Sequence, residues 1–78
     1  MNIYLREGRA SDADRWSELW WINEGFSDFA VRQGAVDGMW YLTTGYVDNT
    51  HILYGPVASR EAIEMLLRLG EFDEYLTR

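Results

Sequence analysis

A chain with no cysteine and only 78 residues has to hold its fold together by packing alone. Neither a disulfide framework nor a thiolate-bound metal can serve as a staple. A domain this small also buries only about 60% of the surface that its unfolded form exposes. The sequence compensates with large side chains: four Trp, five Tyr and three Phe. Each buries roughly 150–250 Å², which is an efficient way to build a small core. Self-association is the other common remedy at this length, so a homodimer whose surplus aromatics form a shared core is one expectation. The length allows one domain, residues 1–78.

Thirteen acidic residues face seven arginines, with no lysine, for a net charge of −6. Such a balance repels nucleic acid and anionic membranes and favours a basic protein surface as partner. No apolar run approaches the ~20 residues that span a bilayer. The N-terminus lacks the charged-then-apolar layout of a signal peptide. With cysteine absent as well, a cytoplasmic location is expected.

Along the chain, residues 1–6 (MNIYLR) alternate in a strand-like way until Gly8. Ser11 followed by Asp12 and Asp14 has the look of a helix N-terminus, with carboxylates in the first turn. Ala13, Trp16, Leu19, Trp20 and Asn23 then follow helical spacing, which predicts a helix over residues 12–24 ended by Gly25. Phe29 and Val31, then MWYLTT at 39–44 and THILY at 50–54, read as three strands. They are separated by turns at Asp37-Gly38 and Asp48-Asn49. After Gly55-Pro56, Ser59 caps a second helix whose apolar face is Ala62, Ile63, Leu66 and Leu67, with Gly70 ending it. Residues 71–78 (EFDEYLTR) form a last helical turn or two. The expected fold class is α+β: a four-stranded, mainly antiparallel sheet covered on one face by two helices. The order is β-α-β-β-β-α with a short C-terminal helix.

Catalytic signatures are weak. His51, the single histidine, stands near a strand end with no nucleophile motif to serve. The glycines belong to turns rather than to a phosphate loop, and no carboxylate loop matches a calcium site. The chain is therefore expected to be non-enzymatic and without cofactor or metal. The interesting group is Trp16, Trp20 and Trp21. On a helix, adjacent tryptophans diverge by about 100°, so Trp21 falls at the rim of the core. It then either packs under the loop of residues 26–29 or serves as an exposed aromatic anchor. Asp14, Glu18 and Glu24 would surround it with acid, and Glu71, Asp73 and Glu74 form a second acidic patch. These seven residues are the expected partner-binding set.

Residues 51–67 (HILYGPVASREAIEMLL) are similar to the second half of SPOR domains, and residues 3–19 would stand for the first strand and helix of that family. That resemblance implies a strand–helix–strand–strand–helix–strand layout and binding of peptidoglycan or a peptide. In size and charge the chain resembles phage-encoded inhibitors of bacterial defence, anti-CRISPR proteins among them. This second resemblance implies an inhibitor or adaptor acting in the bacterial cytoplasm. It would occlude the basic nucleic-acid groove of a CRISPR effector or another nuclease, without touching nucleic acid itself.

Overall fold

In the computed structural model of the chain, which describes residues 3–10, 14–23, 29–44 and 50–76, five strands are followed by a helix and a single helical turn. The strands are β1 (Leu5–Gly8), β2 (Trp16–Ile22), β3 (Phe29–Gly34), β4 (Trp40–Thr44) and β5 (His51–Val57); the helices are α1 (Arg60–Arg68) and α2 (Asp73–Leu76). They form one antiparallel sheet in the order β1-β2-β3-β4-β5, so each strand lies beside its neighbours in sequence. The fold is mostly β. This corrects the expected four-stranded sheet under two helices: there are five strands, and one helix of useful length covers them. The meander of β3 to β5, the Ser59-capped α1 and the short terminal turn are as the sequence indicates.

The correction centres on β2. Residues 16–22 form a strand where helical spacing predicts a helix. Buried Trp16, Leu19 and Ile22 do stand three apart. A bulge sets Trp16 and Leu19 on one face, because Trp16 opposes Gly34 and Glu18 opposes Gln33, so Ser17 is an extra residue that shifts the phase; Ile22 is buried on the other face. Beyond the bulge the residues alternate. Trp20 and Ile22 pack into the core beneath α1, while Leu19 and Trp21 point to the opposite face. A strand covered on both faces reads as a continuous apolar run, which periodicity alone cannot tell from a helix. Ser11, Asp12, Gly25 and the Asp48-Asn49 turn lie outside the described residues. Residues 3–19, which the SPOR-like layout reads as a strand and a helix, hold β1 and the first part of β2.

Asn23 ties β2 to the stretch before β1. It adopts a left-handed backbone (φ 52), donates its N–H to the Tyr4 carbonyl at 3.0 Å and accepts the Tyr4 N–H on Oδ1 at 2.9 Å. Gly8 does not break β1 but lies within it. A Cβ there would stand 2.5 Å from the Trp21 indole nitrogen and 2.6 Å from a Leu19 methyl, so bare backbone makes room for both side chains. At the other edge, β5 carries two register shifts against β4 and a proline in a cis Gly55-Pro56 bond. Bulges and proline are the usual means of blunting an exposed sheet edge.

The core lies between the sheet and α1. Ile22, Val31, Leu42, Ile63 and Leu67 are fully buried there, joined by Ile3 and Phe72. Fully burying a side chain of this kind is worth about 1.5–3 kcal/mol, so Ile63 and Leu67 are the main attachment of the helix. Ala62, expected on the apolar face, is exposed. Arg60 adds a second attachment by lying over the Trp20 ring at 4.0 Å. No helix among the described residues is long and apolar enough to cross a membrane.

Candidate functional site

The face of the sheet opposite α1 carries Leu19, Trp21, Ala30, Arg32, Tyr41 and Thr43, and the bulge brings Trp16 to the same side. Among the described residues no helix packs on it. Arg32 stands at its centre, 3% exposed, paired in register with Leu19 on one side and Tyr41 on the other. Its guanidinium donates to Thr43 Oγ1, and Thr43 in turn donates to the Ala30 carbonyl at 3.1 Å. Burial pushes Arg32 down to about 10, with the charge of Arg15 acting in the same direction. It nevertheless stays protonated at neutral pH. Trp21 is half-buried, with the Arg32 guanidinium 5.9 Å from its ring.

Where β2 begins and the β3–β4 hairpin turns, the same face opens into a recess of about 540 Å³. Trp16 and Tyr41 form one corner of it, edge to face, with ring centres 5.7 Å apart and planes at 73°. Asp14 and Asp37 contribute carboxylates, Arg15 a cation, and Ile52 and Val36 apolar surface. Local structure explains how these groups are held. The Ala35 N–H donates to the Arg15 carbonyl at 2.8 Å, which extends the β2–β3 pairing past the strand ends. Gly34 N–H bonds to the Met39 carbonyl at 2.8 Å and closes the hairpin, with Gly38 in the left-handed region (φ 69) as the Asp-Gly pair foretells.

Asp37 is tied down by its own turn. Its Oδ1 accepts the Met39 N–H at 2.9 Å and its Oδ2 accepts the Tyr41 hydroxyl. These bonds, Tyr41 first, hold the Asp37 carboxyl below its ordinary value, while the same contact raises Tyr41. Arg15 lies over the Trp16 ring at 4.9 Å.

Of the patch expected around Trp21, the described residues do not all share one side of the sheet. Asp14 is exposed at the recess, and Trp21 lies further along the same face. Glu18 is exposed on the α1 side, where it accepts the Trp20 indole N–H at 3.2 Å. Strand alternation therefore places Glu18 across the sheet from Trp21, whereas helical spacing had put them side by side. Glu24 lies outside the described residues. Glu71, Asp73 and Glu74 are exposed past the end of α1, flanking buried Phe72 on the covered side. Sequence reasoning missed Arg15, Trp16, Asp37 and Tyr41 as a group. The available signal was the alternation of Tyr41 and Thr43 against Trp40 and Leu42, with an Asp-Gly turn four residues before Tyr41.

Among the described residues no three His, Asp or Glu side chains gather as metal ligands would. Comparison with family models, curated proteins and solved structures finds no match to this chain.

Proposed function

We propose that the chain is a non-enzymatic binding domain that docks on a basic surface of another protein through the recess on the side of the sheet opposite α1. The observation that carries this reading is the recess, in which two carboxylates flank an edge-to-face aromatic corner on a side that no helix among the described residues covers. Aromatic anchors with a charged rim are the usual composition of a protein-binding hot spot. A net charge of −6 steers such a surface towards basic partners. The chemistry of Asp37 also favours binding over catalysis. A general acid or base works best with a pKa near the operating pH, and the hydrogen bonds to Asp37 move it the other way.

Of the residues expected from sequence, Asp14 lines the recess, together with Arg15, Trp16, Asp37 and Tyr41, while Trp21 lies half-buried further along the same side. Within this proposal the partner is a nucleic-acid-binding protein, with a nuclease of bacterial defence as its particular form. The domain would act as an inhibitor or adaptor in the bacterial cytoplasm by covering the partner's basic groove.

The test is retention of a bacterial protein from lysate by the parent chain, by Asp14→Asn and by Glu64→Gln on the opposite side. The expected result is a basic, nucleic-acid-binding protein, held at low salt, released at high salt or by added nucleic acid, and weakened only by Asp14→Asn. Retention that ignores salt and Asp14 would overturn the reading. A purified chain with twice its own mass, its association lost on mutating this face, would replace it with self-association.

A further inference from the structure

Resting on that reading, we propose that the recess is an arginine site: it takes the guanidinium of a partner's arginine side chain, and Arg15 holds the adjoining aromatic face until that side chain arrives. The molecule already carries out half of the interaction on itself. The Arg15 guanidinium lies 4.9 Å from the centre of the Trp16 ring, so this ring accepts a planar cation in the folded chain. Arg15 is exposed and makes no ion pair among the described residues, so the stacking is the contact that positions its head group. Only its backbone is fixed, through the Ala35 N–H at 2.8 Å.

The rest of the recess fits the same ligand. Trp16 and Tyr41 meet at 73°, which allows a flat cation to lie on one ring with its edge toward the other. Asp37 accepts the Met39 N–H on Oδ1 and the Tyr41 O–H on Oδ2, with its own backbone N–H also bonding the carboxylate, and a carboxylate offers about four acceptor positions, so capacity for a further donor remains. Because the hairpin already orients this carboxylate, accepting a two-pronged donor requires little additional ordering. Asp14 supplies a second negative charge at the rim. A guanidinium is planar, weakly hydrated and forked, and it stacks on aromatic faces. A lysine ammonium is compact and strongly hydrated, and gains less from such a corner. The recess therefore discriminates by shape as well as by charge.

The experiment is a heteronuclear NMR titration of the labelled full chain with N-acetyl-arginine amide and, separately, with N-acetyl-lysine amide at low ionic strength. Expected are shifts at the Trp16 indole N–H, the Asp37 and Met39 amides and the Tyr41 ring, with arginine bound at least roughly threefold more tightly than lysine. Arg15→Ala should tighten arginine binding by about threefold to fivefold by vacating the ring, and Asp14→Asn should weaken it by a similar factor. Both positions are exposed, and unchanged amide spectra elsewhere will verify that the variants fold. Equal binding of the two compounds in the recess overturns the arginine preference while leaving a basic partner in place. Shifts confined to other surfaces, with salt-sensitive retention of the partner intact, overturn the recess as the arginine site but not the docking face. If Arg15→Ala leaves arginine affinity unchanged, the role given to Arg15 is wrong.

Discussion

The hydroxyl of Thr43 joins two groups that would otherwise be separate: it accepts from the buried Arg32 guanidinium and donates to the Ala30 carbonyl. A hydrogen bond to a charged group is worth about 1.5–3 kcal/mol, and Thr43 is fully buried. Thr43→Val keeps the shape and removes the bridge. Urea unfolding should show it less stable by about 1.5–3 kcal/mol, with Thr43→Ser recovering part of the loss. The Asp37–Tyr41 contact makes a prediction in pH. Asp37 is depressed in the fold, so its contribution is present above its ordinary value of 3.8 and lost as pH falls through the lower folded value. Tyr41 is raised, so its contribution is present below 10.0 and lost as pH rises through the higher folded value. Tyr41→Phe should therefore weaken the pH dependence of the unfolding midpoint at both the acid and the alkaline ends. Superimposable pH profiles would show that the contact is not linked to folding. At this scale the sequence misplaced Trp21, whose rim position followed from a helical stripe; strand β2 instead sets it half-buried on the side opposite α1. The sequence was silent on Arg32, because nothing in the pattern FAVRQG tells a buried arginine from a solvated one.

Among the elements, α1 was readable in its ends and in its buried Ile63 and Leu67, though not in Ala62, because its signals are local. Ser59 is extended (φ −143, ψ 152) and its Oγ accepts the Ala62 N–H at 3.2 Å, Glu61 sits in the first turn and Arg68 in the last. Ser59→Ala should cost about 0.5–2 kcal/mol in chemical denaturation, and Ser59→Asp should keep most of the parent stability. Equal stability of Ser59→Ala and the parent would mean that the cap does not matter. β2 was misread for the opposite reason, since its fate is decided by distant partners. β1 and β3 pair with it on either side, and both of its faces are packed. Leu19-Trp20-Trp21-Ile22 fits a two-sided strand, and Ser and Asp favour turns as well as helix caps, so Ser11 and Asp12 do not by themselves select a helix. A bulge that spaces Trp16 and Leu19 like helix neighbours has no sequence marker here. The candidate site was lost with it, because the recess exists only once β2 and β4 show Trp16 and Tyr41 on one face.

For the molecule as a whole, charge is poorly compensated. The net charge is −6, and among the described residues the ion pairs are Arg60–Glu61 at 3.5 Å and Arg68–Glu64 at 3.1 Å, both on α1. Exposed pairs like these contribute at most about 1 kcal/mol. Self-repulsion should therefore outweigh them, and added sodium chloride should raise the thermal midpoint by screening it, whereas a falling midpoint would mean that the pairs dominate. Folding should be quick for a β protein, because every strand pairs with the next one along the chain. Among the described residues, the helix that covers the sheet follows the five strands in sequence. During synthesis, then, the meander leaves the ribosome with Ile22, Val31 and Leu42 bare to solvent until residues 60–68 follow. Until α1 docks, the emerged meander presents an apolar sheet to its neighbours, so the speed with which residues 60–68 pack becomes part of how this domain avoids aggregation.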